Sequence, residues 1–152
     1  MTDQLAKEVR RAHNRLLGDD GPWTKITKSA WKARLDELER DWCLVAIDRF
    51  GDRPRLAGYL LSSRFSSTID GVESEEGYVE EIVVLPEWRG KHLATGLIGA
   101  AMDRFEEAGM RYIGIDVSVS YPHQEQATLA NLFEHFEFER VSETIIVQMD
   151  LT

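Results

Sequence analysis

Residues 76–102, EGYVEEIVVLPEWRGKHLATGLIGAAM, constrain the fold more than any other stretch of the chain. An alternating and then fully apolar strand runs to Pro86, passes through a short basic turn containing Gly90, and becomes a helix at once. A strand that feeds a helix this directly leaves several backbone N–H groups uncommitted at the helix N-terminus. Arg89 and Lys91 stand beside them. Such a turn is suited to a pyrophosphate, because open donors and the positive end of the helix dipole meet there. The plain alternative is a strand-to-helix turn with surface cations.

The remaining elements can be read around this turn. Leu5, Val9, Ala12, Leu16 and Leu17 recur at helical spacing over 3–17. GDDGPW (18–23) ends that helix, and a second begins near Thr27 or Ser29 as N-cap, with Trp31, Leu35 and Leu38 as its apolar stripe. Residues 42–50 and 56–65 read as a strand pair joined by GDRPR. SSTIDGVESEE (66–76) is polar and turn-rich and is expected to be a mobile loop before a strand over 77–85. A third helix is predicted over 91–108, with Leu93, Leu97, Ile98, Ala101, Met102 and Phe105 inward and Gly109 as its stop. A strand over 112–119, a loop at 120–124, a helix over 125–136 and a last strand over 139–151 complete the order α-α-β-β-β-α-β-α-β. The expected fold is mixed α/β: one domain over 1–152, with a mixed, mostly antiparallel sheet and helices on both faces.

Composition narrows the partners. A chain of 152 residues is long enough for a real core. Its net charge of −9 argues against nucleic acid and mildly favours a cationic or amine partner. No apolar run approaches the ~20 residues of a membrane helix, so no membrane association is expected. The single cysteine, Cys43, excludes an intramolecular disulfide and sits among apolar neighbours, so a buried thiol in a reducing cytoplasm is the simplest expectation. His13 and His135 have no paired ligand spacing, and no metal motif appears. The GxxxxGK(S/T) spacing of a P-loop is absent.

Val84-x-Pro86-x-x-Arg89-Gly90-Lys91-His92-Leu93-Ala94 resembles the GCN5-related N-acetyltransferase superfamily, whose pattern is (Gln/Arg)-x-x-Gly-x-(Gly/Ala) after Val-x-Pro. Arg89 fits the first position and Ala94 the last. His92 occupies a place usually held by glycine, tolerable at negative φ and costing about 1 kcal/mol or more at positive φ. The element order is similar from residue 3 onward. The family usually opens with a short strand before the first helix. Here that strand is missing, shortened or supplied from elsewhere.

The resemblance implies acetyl-CoA as co-substrate and a small-molecule or peptide amine as acceptor, and homodimers are common in the family. By the same likeness, the diphosphate would meet Arg89, Gly90, Lys91, His92, Leu93, Ala94 and Thr95. The pantetheine arm would pair with the backbone of Ile82, Val83, Val84 and Leu85 and pack on Phe133. An amine must lose a proton before it attacks, so a base is needed. Glu80 and Glu81 lie on the strand beside the expected thioester. Successive strand residues point to opposite faces, so one of the two is expected to face the substrate. Glu80 is chosen, because members of the family often carry an acid there. Asp116 is a further acid, set in an apolar strand. The family's proton-donating tyrosine is replaced by Phe133 and the nearby glycine by Glu137. Tyr121, His123 or Ser118 would have to serve, or solvent. These losses keep open a non-catalytic acyl-CoA-binding domain of the same fold.

Overall fold

The structure is a computed structural model and describes residues 1–17, 25–69, 71–115, 131–132 and 134–136. Asp116, Ser118, Tyr121, His123, Phe133, Glu137 and the strand expected over 139–151 lie outside the described residues.

In the unit formed by residues 1–120, the order is α1 (Asp3–Leu17), α2 (Lys28–Glu37), β1 (Leu44–Asp48), β2 (Arg55–Ile69), β3 (Val72–Val84), a 3-10 turn (Pro86–Trp88), α3 (Leu93–Glu107) and β4 (Tyr112–Ile115). α1 starts at Asp3, and residues 1–2 carry no regular structure. Among the described residues the sheet runs β1-β2-β3-β4. β1, β2 and β3 are antiparallel neighbours, and β4 lies parallel to β3. A parallel neighbour needs a crossover, and α3 supplies it. In the unit formed by residues 121–152, positions 131, 132, 134 and 135 are helical, and the Phe136 N–H donates to the Leu132 carbonyl at 3.3 Å.

Local chemistry explains the helix starts. Thr27 caps α2, its Oγ1 accepting the Ala30 N–H at 3.2 Å. Asn14 of α1 holds the approach to α2 by exchanging two bonds with the Ile26 backbone, at 2.8 and 3.0 Å. The apolar stripes then cover the sheet. Val9, Ala12, Trp31 and Leu38 share one core with Tyr59 and Leu61 of β2. α3 covers the other face with Leu97, Ile98, Ala101 and Phe105, all buried. A Cβ on Gly77 would stand 2.3 Å from the Phe105 ring, so only glycine lets β3 approach α3 this closely. Cys43 is buried just before β1, and burial pushes its thiol pKa up, which leaves it unreactive.

The expected mobile loop at 66–76 is instead the end of a long hairpin. β2 and β3 pair continuously out to Ile69↔Val72, and Gly71 makes the turn at φ +78°. Ser66 faces Glu75 and Thr68 faces Glu73, and Arg64 bonds Glu75 at 2.7 Å. The described side chains of this arm are largely exposed, which is why its sequence carries no apolar alternation. Asp70-Gly71 between Ile69 and Val72 is the signal that marks it, a dipeptide strongly favoured in two-residue hairpin turns.

Candidate active site

At the end of β3 the backbone changes direction within a few residues. The Leu85 N–H donates to the Ala57 carbonyl at 2.9 Å, which ties the strand to β2 to its last residue. Pro86 opens the 3-10 turn, where a missing N–H costs nothing. Arg89 closes it, its N–H on the Pro86 carbonyl at 3.3 Å. Gly90 then takes φ +72° and His92 φ +59°. Of the two cases open to His92, the structure takes the costly one, positive φ. Its backbone enters the left-handed region, which histidine tolerates better than most side chains at a cost of about 1 kcal/mol.

This pair of left-handed residues aims the start of α3. The first helical bond runs from the Gly96 N–H to the His92 carbonyl at 3.0 Å, and no side chain caps the helix. Leu93, Ala94 and Thr95 precede that bond, so no helical carbonyl reaches their N–H groups. Among the described residues, no hydrogen bond engages an N–H of residues 90–95. Gly90, Lys91 and His92 are exposed, and Leu93, Ala94 and Thr95 half-buried. Arg89 is exposed too, but its Nε donates to the Val84 carbonyl at 3.2 Å and so pins the turn to its own strand.

The edge of β3 opposite β2 has a limited described partner. β4 pairs with Glu76 through Val79, ending at Val79↔Ile115. Beyond that point, residues 80–84 have no described strand on this edge. Backbone groups alternate sides along a strand. Because the Leu85 N–H turns toward β2, so does Val83, while Ile82 and Val84 turn their N–H and C=O groups to the opposite edge, where Arg89 Nε already takes the Val84 carbonyl. The main-chain groups turned to that edge and still without a described partner are those of Ile82 and the Val84 N–H, not those of Val83.

The two acids overturn a simple expectation. Between Leu61↔Glu81 and Ser62↔Val79 the register slips by one, so Glu80 is an extra residue, a β-bulge in β3. Strict alternation would send Glu80 and Glu81 to opposite faces. The bulge cancels it, as their partners demonstrate. Glu81 meets Tyr59 and Glu80 meets Ser63, two residues spaced evenly along one face of β2. Both carboxylates therefore lie on the face covered by α1 and α2.

Their environments differ sharply. Glu81 is 8% exposed and fully engaged. Tyr59 Oη donates to its Oε1 at 2.5 Å, His13 Nδ1 stands 3.0 Å from the same oxygen, and Arg34 Nη2 donates to Oε2 at 2.9 Å. Burial pushes the Glu81 carboxyl up, but the His13 bond, the Arg34 charge and the Tyr59 hydroxyl outweigh it and hold the group below its usual range. Glu80 is exposed and takes one hydrogen bond, from Ser63 Oγ at 2.5 Å.

His13, Arg34, Tyr59 and Ser63 were not picked out from the sequence as site residues. His13 had a signal: it follows Val9 by four on the buried stripe of α1, a position where a polar ring must find a partner. Arg34 and Ser63 had none, since their roles depend on which strand positions they face. Among the described residues no three His, Cys, Asp or Glu side chains cluster to hold a metal ion. No described helix is long and apolar enough to cross a membrane.

The family model described as Acetyltransferase (GNAT) family matches residues 6–136. No curated protein matches. Solved structures do. The chain is similar to an aminoglycoside N-acetyltransferase, AAC(6')-Iy, in complex with CoA, at TM-score 0.68 and 18% identity, covering 99% of this chain and 96% of that one. It is similar to the aminoglycoside antibiotic 6'-N-acetyltransferase AAC(6')-IG from Acinetobacter haemolyticus, at TM-score 0.63 and 17% identity, covering 100% and 97%. The NatC complex bound to Gag peptide and CoA gives TM-score 0.70 at 17% identity, covering 93% of this chain and 80% of that chain. At these identities the likeness is one of fold.

Proposed function

The chain belongs to the Acetyltransferase (GNAT) family, and on that premise we propose that it moves the acetyl group of acetyl-CoA directly to a primary amine on a small molecule or peptide. The observation that carries this reading is the turn at 89–95, where free amides, two left-handed residues and two cations meet at a helix N-terminus. The fold neighbours include proteins whose structures hold CoA, two that acetylate aminoglycosides and one bound to a peptide. Both acceptor classes therefore stay within the proposal.

Each group has a part. The N–H groups of residues 90–95 receive the diphosphate, with Lys91 and Arg89 adding charge. The open edge at Ile82 and Val84 offers main-chain donors and acceptors to the amides of the pantetheine arm. An N–H on that edge meets the negative charge that develops on the thioester oxygen. Glu80 is the base. It is exposed, carries a free oxygen and is oriented by Ser63. It takes a proton from the acceptor ammonium, the neutral nitrogen bonds the acetyl carbon, the carbon–sulfur bond breaks, and the nitrogen releases its second proton to solvent to leave the neutral amide. The thiolate is weakly basic and takes its proton from solvent. Glu81 is not the base, because its oxygens already hold three partners. A cytoplasmic setting suits a reaction that consumes acetyl-CoA and a protein whose one thiol is free.

Thermal-shift titration with acetyl-CoA, followed by a free-thiol release screen over aminoglycosides, polyamines and peptides, tests the proposal. A saturable rise in melting temperature with amine-dependent thiol release is expected. Binding without release across the whole screen would favour a non-catalytic acyl-CoA-binding domain. No binding at all would end both readings.

A further inference from the structure

We infer that Trp88, Asp48 and Arg55 form a clamp that positions the diphosphate turn, so that affinity for coenzyme A depends on an indole N–H and a carboxylate lying outside that turn. The inference rests on the reading of residues 89–95 as the diphosphate site.

The turn needs an external anchor. His92 is held left-handed, where a side chain costs energy, and the helix it begins has no side-chain cap. Such backbone holds one shape only where the surroundings over-determine it. Arg89 supplies one tie, to Val84. Trp88 supplies another. It ends the 3-10 turn immediately before Arg89, and its ring is buried in the core that includes Leu56, Leu85 and Tyr59.

The Trp88 indole is aimed by the β1–β2 connection. Nε1–H donates to Asp48 Oδ2 at 3.1 Å. Asp48, the last residue of β1, is itself fixed, its Oδ1 accepting the Phe50 N–H at 2.8 Å. Arg55, the first residue of β2, stacks on the indole with Cζ 4.7 Å from the ring centroid. It reaches Glu87 Oε2 at 3.1 Å and approaches Asp48 Oδ2 to 3.7 Å. The Phe50 N–H, the indole N–H and the charges of Arg55 and Lys91 all hold the Asp48 carboxyl below its usual range, so it stays an ionised acceptor. The Arg55 ion pairs are exposed and weak by themselves. The buried ring and its N–H bond to a charged group are the stronger parts of the clamp.

The test compares two ligands on three proteins. Coenzyme A carries the diphosphate; pantetheine, used at millimolar concentration, lacks it. W88F keeps the buried ring and removes the N–H, and D48N removes the charge that receives it. Each variant is expected to bind coenzyme A about tenfold more weakly than the parent. Pantetheine binding should stay the same in all three proteins. Equal losses for both ligands would mean a general loosening of the fold and would overturn the inference, as would unchanged coenzyme A binding in both variants. D48N decides the matter should W88F fail to fold. Failure of the unaltered protein to bind coenzyme A would remove the diphosphate site itself, an outcome distinct from failure of the clamp alone.

Discussion

The buried cluster around Glu81 and the turn at 89–95 lie on the same stretch of chain and handle charge in opposite ways. Around Glu81 every charge is answered from within: Tyr59, His13 and Arg34 bring donors from β2, α1 and α2 to one buried carboxylate. At the turn, donors are collected and left open, with no described partner on the amides of residues 90–95. The first arrangement spends its interactions on holding two helices against the sheet. The second leaves them without a described partner, as the proposed diphosphate site requires. Glu80, one residue from Glu81, belongs with the second group, since it is exposed and singly bonded. Adjacent positions of identical chemistry are thus sorted by a bulge and by what lies across from each.

That sorting can be broken residue by residue. The largest effect is expected from E80Q. Loss of a general base lowers kcat by about 10²–10⁴-fold, while melting temperature and coenzyme A affinity stay at the parental level. Should E81Q reduce turnover in a fully folded protein and E80Q leave it intact, the two roles are reversed. E81Q is instead expected to destabilise the fold by about 3–5 kcal/mol in urea unfolding, because Arg34 loses its buried counter-charge. Removing both cations of the turn, R89A with K91A, should weaken coenzyme A binding by about tenfold or more in calorimetry. Stability should change by less than about 1 kcal/mol, since both side chains are exposed.

Acid gives a finer comparison. The Glu81 carboxyl is depressed in the folded chain, whereas an unfolded glutamate titrates near ~4.3. Its stabilisation is complete above that value and is lost as pH falls through the lower, folded one. Urea midpoints measured from pH 6 down should drop steeply below about pH 4 in the parent, and the slope should be shallower in E81Q. The smallest effect belongs to H92G. Glycine relieves the left-handed histidine but frees the unfolded chain, for a net gain of at most about 1 kcal/mol.

Much of the architecture was readable in advance. The strand–turn–helix at 76–102, the stripes of the first three helices and the Thr27 cap follow from periodicity and from side-chain oxygens placed before apolar runs. The arm of the β2–β3 hairpin was missed because its sequence is mostly polar and shows no apolar alternation. Strand pairing there rests on the backbone ladder and the turn at Gly71, which leave no apolar alternation. The face of Glu81 was missed for another reason: a bulge is a relation between two strands, and neither strand alone announces it.

Local sequence by itself determined that a basic, glycine-containing turn would stand between an apolar strand and a helix. Sterics of Pro86 and Gly90 and the apolar spacing of α3 act within a few residues. Only the tertiary structure decided which acid is sealed and which is open, that His92 bends left, and that Trp88 answers to Asp48 across the sheet. Those outcomes depend on groups distant in the chain meeting at hydrogen-bond range. Burial then turns each such meeting into a requirement, because a charge taken from water must find a partner.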